Sequence, residues 1–419
     1  MKNLIKILAL PIICAASIPA HADYSLTETP HLLGDWGGLR TDLAEAGVEL
    51  QIYHIFDVYD DFSGASESGT AYFGRQRVAA TFDLEKLLGW DNAVFSISGV
   101  DQYGNNYNRT RFNVLTNPSS IEGADTTRLA NIWLGHTVLD GQLTYKIGKL
   151  DAVGEFGIQE FGGTFMNDEL AYVPNAIFGS GLPFDPAQKL GAVFEYRLAN
   201  ATEADGLYLK AGVFDSNNSD AYRDDHNGLS FDWTGPVAYA GEIGYRTSGS
   251  SAGDKPLFVK LGAHYNTDDF ADLSSQTAET IDHNYLVYLS AGKTLHHLDS
   301  SGERYIQASF TYNYAPEDRN TYHHQVTALA RAIGPFASRP NDELGIGLIA
   351  AFLSDDFSDN RMAAGGASAD AEYTIELAYK AAITPWLTLQ PDLQLVLDPS
   401  GDDSRDPVWI AGLRTVIQF

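Results

Sequence analysis

Cysteine is nearly absent: one Cys and three Met stand in 419 residues. That excludes a disulfide framework, a Cys-ligated metal site and thiol chemistry. Basic residues are also scarce, with 27 Lys and Arg against 55 Asp and Glu and a net charge of −28. Too little positive charge is available to neutralise phosphates, so a nucleic-acid partner is excluded. Past the first twenty residues, no stretch approaches the ~18 apolar residues of a membrane-spanning helix. Disorder is excluded by a 44% hydrophobic, 12% aromatic composition.

The first apolar run is an address. Lys2 and Lys6 precede Ile7 to Ala20, and Ala20-His21-Ala22 places small residues at −3 and −1 of a cut before Asp23. This predicts a secretory signal peptide over residues 1–22. Cleavage removes two Lys, no acid and the only Cys, taking the net charge from −28 to −30. An exported chain without disulfides draws its stability from an extensive hydrogen-bonded structure, and a closed outer-membrane barrel needs no hydrophobic-looking segment.

Most of the remaining chain alternates with a period of two. Ile375, Leu377, Tyr379 and Ala381 alternate with Thr374, Glu376, Ala378 and Lys380. Leu387, Leu389, Leu393 and Leu395 alternate with Thr388, Gln390, Asp392 and Gln394. One apolar and one polar face fit an antiparallel sheet between two media. A β-sandwich also alternates, but here Tyr marks the ends of apolar faces and Lys, Glu and Gln sit in mid-strand, as a girdle and a wet lumen require.

Sixteen strands are predicted, starting near Val48, Gly69, Ala93, Arg128, Leu143, Lys189, Leu207, Val237, Phe258, Tyr285, Tyr305, Val326, Glu343, Tyr373, Leu387 and Val408. Connections after odd strands average roughly 19 residues and those after even strands roughly 7, the asymmetry of an outer-membrane barrel. The long loops starting near Asp101, Asp151, Asp215 and Ser354 are expected to face outside. Residues 23–47 read as a tight turn at Asp35-Trp36-Gly37-Gly38 and a short periplasmic helix capped by Gly47. The barrel proper then runs over 48–419.

Three motifs stand in order along the chain. They are Leu33-Gly34-Asp35-Trp36-Gly37-Gly38-Leu39-Arg40; Gly148-Lys149-Leu150-Asp151 leading to Glu155-Phe156 and Thr164-Phe165-Met166-Asn167; and Ile383-Thr384-Pro385-Trp386-Leu387 through Gln394, followed by Gly412-Leu413-Arg414. Together they resemble the carbohydrate-selective outer-membrane porins of the OprB family. The resemblance implies a sixteen-stranded transmembrane β-barrel in a Gram-negative outer membrane that admits small sugars by passive diffusion. It also implies contact with lipid and lipopolysaccharide and delivery by the barrel-assembly machinery through a strand ending in Phe419; a monomer and a homotrimer both stay open. Residues 197–370 carry no matching motif.

By resemblance to porins, the loop after the fifth strand, residues 151–188, folds inward as a constriction. It holds Asp151, Glu155, Glu160, Asp168, Glu169 and Asp185, no Lys or Arg, and six aromatics including Phe156, Phe165 and Phe178. Arg75 and Arg77 share one strand face. Facing lipid near the midplane each would cost ~2–4 kcal/mol, so both are expected in the lumen. The expected constriction is therefore Arg75 and Arg77 against Glu155, Asp168 or Glu169, with Phe156 and Phe165 covering sugar rings. The expected channel wall is Glu376, Lys380, Gln390, Asp392, Gln394 and Arg414.

Other patterns carry no chemistry. Gly249-Ser250-Ser251-Ala252-Gly253 matches a hydrolase elbow without its strand-to-helix turn. Gly345-Ile346-Gly347-Leu348-Ile349-Ala350 lies inside a strand with no helix following. The pairs His296-His297 and His323-His324 point to opposite strand faces. No cofactor or catalytic group is called for. Asp224-Asp225, Asp268-Asp269 and Asp355, Asp356 and Asp359 form acidic outer loops that are either simply solvated or hold Ca²⁺ or Mg²⁺. The readings that compete with a sugar channel are a general or cation-preferring porin and a secreted β-fold carbohydrate hydrolase.

Overall fold

The protein is described here from a computed structural model that covers residues 28–63, 70–105, 112–172, 179, 181–198, 205–216, 225–248, 254–275 and 277–419. The signal peptide, Phe178, Asp224 and the Gly249–Gly253 motif lie outside the described residues.

Strands form where the alternation predicts them: β1 (Val48–Ser63), β2 (Ala71–Asp83), β3 (Ala93–Gly104), β4 (Thr126–Val138), β5 (Leu143–Leu150), β6 (Lys189–Arg197), β7 (Gly206–Asp215), β8 (Val237–Thr247) and β9 (Leu257–Asn266). A two-stranded ribbon, β10 (Phe270–Ala271) with β11 (Thr280–Ile281), decorates the next loop. Then come β12 (Asn284–His297), β13 (Tyr305–Tyr314), β14 (Tyr322–Ile333), β15 (Glu343–Leu353), β16 (Ala371–Thr384), β17 (Leu387–Leu397) and β18 (Val408–Gln418). Apart from the ribbon, each strand pairs antiparallel with its neighbours, and β1 pairs with β18 to close a sixteen-stranded barrel. The expected start at Val326 falls inside β14, because a register shift between Tyr322 and His324 breaks the alternation there.

The wall is inverted relative to a water-soluble sheet. In β9, Val259, Leu261 and Tyr265 are 47%, 49% and 45% exposed, while Lys260, His264 and Asn266 are buried. The apolar set faces outward around the barrel, through Leu289 and Phe310 to Leu348, Leu377 and Leu413. Only a lipid surround makes this arrangement stable, because closure satisfies the backbone while the apolar side chains contact acyl chains.

At the closing seam Asp57 of β1 lies opposite Arg414 of β18. The guanidinium donates to both carboxylate oxygens at 2.8 and 2.7 Å. The short connections, such as 139–142 and the Pro385–Trp386 turn, gather at one end; the long ones, including 105–125, 151–188 and 216–236, leave from the other. The predicted helix spans Leu39–Glu45 at the short-turn end. Gly37 and Gly38 take positive φ to make its entry, and Gly47, φ 99°, follows its end. Arg40 fastens it to the seam, donating to Leu50 O at 2.9 Å and Phe419 O at 2.7 Å.

Candidate functional site

The lumen is partly filled by two segments of the long-loop end. Residues 151–172 leave β5 for the interior, where they meet side chains of several wall strands, and residues 181–188 lead back to β6. Lys260 of β9 donates to Ile158 O at 2.9 Å, and Gln159 donates to Thr327 of β14 at 2.6 Å. Gln390 of β17 donates to Thr164 O at 3.0 Å. Asp151 and Asn167 start short helical turns by accepting the amides of Gly154 and Glu169. Phe156, Phe165, Met166 and Leu170 are buried against the wall.

Segment 112–124, by contrast, was expected outside with the rest of the loop near Asp101. It lies inside because acceptors and donors on the wall capture its backbone. Leu115 N and Thr116 N donate to Glu372. Tyr59 OH and Gln394 Nε2 donate to Pro118 O at 2.8 and 3.0 Å. The two segments also bond each other: Asp168 N donates to Asn117 O, and Ser120 N to Met166 O.

Between them and the β1–β4 wall lies a cavity of about 660 Å³. Arg75 and Arg77 enter it from β2, Tyr53 from β1, Asn131 from β4 and Arg414 from β18; the loop contributes Asp151, Asp168, Tyr172, Asp185 and Gln188. Arg75 Nη1 reaches Asp185 Oδ2 at 3.1 Å, and Arg77 Nη2 binds the other oxygen of the same carboxylate. Gln102 holds Arg75 Nε at 2.7 Å, and Gln188 donates to Asp185 at 2.7 Å. Burial alone would raise Asp185, but Arg77 and then Arg75 outweigh it and hold the carboxyl below its ordinary range. Asp151 has no such partner: burial first, then the Asp185 charge, pushes it up to about 7. Tyr172 OH donates to it.

The two arginines enter the cavity and meet a loop carboxylate, and that carboxylate is Asp185. Glu155 is drawn away by Lys146 at 2.6 Å and Lys210 at 2.8 Å. Burial would raise Glu155, yet Lys210 and Lys146 together lower it. Glu169 is fully buried and accepts from Gln325 at 2.7 Å. Asp168 lines the cavity. Phe156 and Phe165 cover no open surface: Phe156 packs edge-on against Phe214 and under Lys210.

Of the expected wall, Glu376, Gln390 and Gln394 point inward but are covered by the loops. Glu376 accepts Met166 N and Asn167 N, and Gln394 accepts from Asn167 Nδ2. Asp392 is buried beside Gln394. Lys380 stays a third exposed and pairs with Glu343 at 3.2 Å. Asp225, read as an outer-loop acid, is buried against Lys149 at 2.8 Å. Among the described residues no three His, Cys, Asp or Glu are arranged to hold a metal ion.

A family model described as carbohydrate-selective porin, OprB family, matches residues 67–419. The chain belongs to the OprB family of carbohydrate-selective porins. Among curated relatives, Porin B of Pseudomonas aeruginosa is 23% identical over 93% of this chain and 91% of its own length. Among solved structures, OprB of Pseudomonas putida at high pH covers 94% of this chain and all of its own, with TM-score 0.86 and 21% identity. This porin is a passive channel for carbohydrates in a Gram-negative outer membrane, and not an enzyme.

The missed residues are Asp185, Gln102, Asn131, Tyr172 and segment 112–124. Asp185 carried a signal as one of the loop's acids. Tyr172 carried one as one of the loop's six aromatics. For Gln102, Asn131 and segment 112–124 no local pattern distinguished them.

Proposed function

We propose that sugar selection takes place where Arg75 and Arg77 share Asp185. The observation that carries this is two guanidinia fixed by the wall and one carboxylate fixed by the loop, side by side at a cavity of about 660 Å³. That volume lies within the roughly 300–1,000 Å³ usual for small-molecule sites.

A neutral sugar entering a narrow passage loses water hydrogen bonds and needs both donors and acceptors in return. The guanidinia supply donors; Asp185 and Asp168 supply acceptors; Asn131 and Gln188 supply both. An ion gains from one charge and is repelled by the other. Because Asp185 offsets one of the two guanidinium charges and occupies a donor of each, their contacts with a sugar stay weak, as flux requires. Beyond the cavity, Lys146 of β5 with the loop's Glu155, and Lys380 with Glu343 on the opposite wall, keep partly exposed ion pairs. They extend the same alternation toward the short-turn end. Export after cleavage near Ala22 fits the sequence of residues 1–22.

The test is liposome swelling with sugars and amino acids of matched size, alongside sugar block in planar bilayers. Wild type is expected to favour sugars and to show saturable block. Replacing both Arg75 and Arg77 with Ala is expected to weaken the block about tenfold or more, since each lost charged hydrogen bond is worth roughly 1.5–3 kcal/mol. Unchanged block in the double variant overturns the assignment.

A further inference from the structure

Almost every Lys and Arg of the described strands points into the lumen. Lys149 and Lys293 lie on the outward face instead. Lys149 follows the outward, half-exposed Ile147 on β5, yet it is only 1% exposed. Its ammonium donates to Asp225 Oδ2 at 2.8 Å and Gly228 O at 2.5 Å, and the Phe231 ring covers it at 5.3 Å. The fold has wrapped this charge before presenting the wall to lipid.

Lys293 is not wrapped. It follows Val287, Leu289 and Ala291 on the outward face of β12, while Leu286, Tyr288, Ser290 and Thr294 are buried inward. Lys293 is exposed, and no carboxylate of the described residues pairs with it. It stands four residues from the end of β12 at His297, about 10 Å along the barrel axis for a strand tilted ~40°. The turn that follows belongs to the short-turn, periplasmic end. Lys255 joins it at the same rim: its Nζ donates to Leu295 O at 2.7 Å, which leaves two protons free for another acceptor.

Toward the bilayer midplane from Lys293, the outward side chains shrink. Ala291 sits between Val259 and Phe310 in the ladder, and Ala308 lies opposite Lys293. The two alanines floor an apolar groove of about 400 Å³ walled by Val259 and Phe310, with Leu257 and Lys293 at its foot. The small face continues onto β14, where Ala330 lies opposite Ala308 and Ala328 opposite Phe310; farther round, Leu, Ile, Phe and Tyr stand exposed on the belt.

We propose that this groove binds one anionic phospholipid of the inner leaflet. One acyl chain lies over Ala291 and Ala308 between Val259 and Phe310. The phosphate is held by the ammonium groups of Lys293 and Lys255. The chain recovers dispersion contacts that a gap over two alanines forfeits. The phosphate supplies the negative charge that Asp225 supplies to Lys149. The order of features fits a lipid, with charge at the headgroup level and groove toward the tails. A second copy of this barrel would instead bury Lys293 against an apolar wall without a partner, which is costly.

The test uses the full barrel in detergent, native mass spectrometry, and two defined probes, dioleoyl-phosphatidylglycerol and dioleoyl-phosphatidylethanolamine. Wild type is expected to bind the glycerol lipid more tightly. Lys293→Gln is expected to weaken that binding about fivefold, as one Lys near an anionic lipid contributes, and to weaken the ethanolamine lipid less, because its own ammonium offsets its phosphate. Lys293→Arg retains the preference. Ala308→Leu fills the groove with a residue already common on this face and is expected to reduce binding of both lipids. Heat-modifiable gel migration confirms that each variant is folded. Equal binding of the two lipids by wild type, or full glycerol-lipid binding by Lys293→Gln, overturns the proposal. A concentration-dependent dimer abolished by Ala308→Leu also overturns it, assigning the groove to a second copy.

Discussion

Segments 112–124 and 151–188 both fold into the barrel, and different chemistry keeps each there. Segment 151–188 adds charged and aromatic side chains to its backbone contacts: Phe156, Phe165, Met166 and Leu170 are buried, and Glu155, Glu160 and Asp185 pair with wall cations, while Glu376 takes the amides of Met166 and Asn167. Segment 112–124 buries Phe112, Val114 and Ile121, but its polar fastening is its own backbone together with the small hydroxyls of Thr116, Ser119 and Ser120. Glu372 of β16 accepts from Leu115 N and Thr116 N, and from Ser400 N of a neighbouring loop. A loop held by side chains announces itself in its composition. A loop held by its amides does not, because every residue except proline has one.

Removing Glu372 tests that contrast most severely. Glu372→Ala leaves three buried amides without their acceptor, each costing about 1–3 kcal/mol. Hydrogen exchange at Leu115 and Thr116 is expected to rise by more than about 100-fold, at roughly 1.4 kcal/mol per factor of ten. The barrel is expected to persist, and single-channel conductance to increase. Glu372→Gln keeps one acceptor oxygen and is expected to fall between. Unchanged exchange would show that apolar packing alone holds the segment.

Phe156→Ala applies the matching test to the other segment. Loss of a buried Phe costs about 3–5 kcal/mol in a core that cannot collapse. Proteolysis within 151–172 is expected to accelerate while 112–124 stays protected. If both segments loosen together, they form one unit and the contrast fails.

Charge comes next. Asp185→Asn leaves Arg75 and Arg77 without their counter-charge and is expected to shift ion selectivity toward anions. Replacing both arginines with Ala is expected to shift it toward cations. Reversal potentials in a salt gradient measure both. Shifts of the same sign would place the cluster away from the ion path.

Segment 151–188 is also expected to respond to pH. Asp151 titrates near 7 in the fold, against 3.8 for a free carboxyl. Its contribution to holding the segment is full below about 4 and is lost as pH rises through about 7. Asp185 acts in the opposite sense: its lowered value contributes above about 4 and is lost in stronger acid. Exchange at residues 151–156, corrected for intrinsic rates, is therefore expected to quicken between pH 4 and 7, and Asp151→Asn to remove the slope. A slope that survives this substitution assigns the titration elsewhere.

The smallest effect is in labelling. Cysteine at Lys380, a third exposed, is expected to react with a water-soluble thiol reagent several times faster than cysteine at Gln394, which the loops bury. Equal rates would mean that segment 112–124 does not cover β17.

Much of the barrel was legible because strand alternation is local. Leu257–Asn266 shows its two faces within ten residues, and the asymmetry of connections needs only counting. Arg75 and Arg77 were legible as luminal for the same reason, since two residues apart means one face and lipid rejects the charge. The break in β14 was hidden, because a register shift at His323 is a property of two paired strands.

The sequence by itself therefore determined the strand number, the inward and outward faces, and a long loop whose six aromatics call for a covered surface. Tertiary structure alone decided which carboxylate meets the arginines. Asp185 lies 110 positions from Arg75, and Glu155 is claimed by Lys146 and Lys210 before it can compete. It alone decided that Glu372 and Gln394 hold a second loop and do not line open water. Period and composition act over a few residues, whereas an ion pair or a captured amide depends on distances that exist only once sixteen strands have closed.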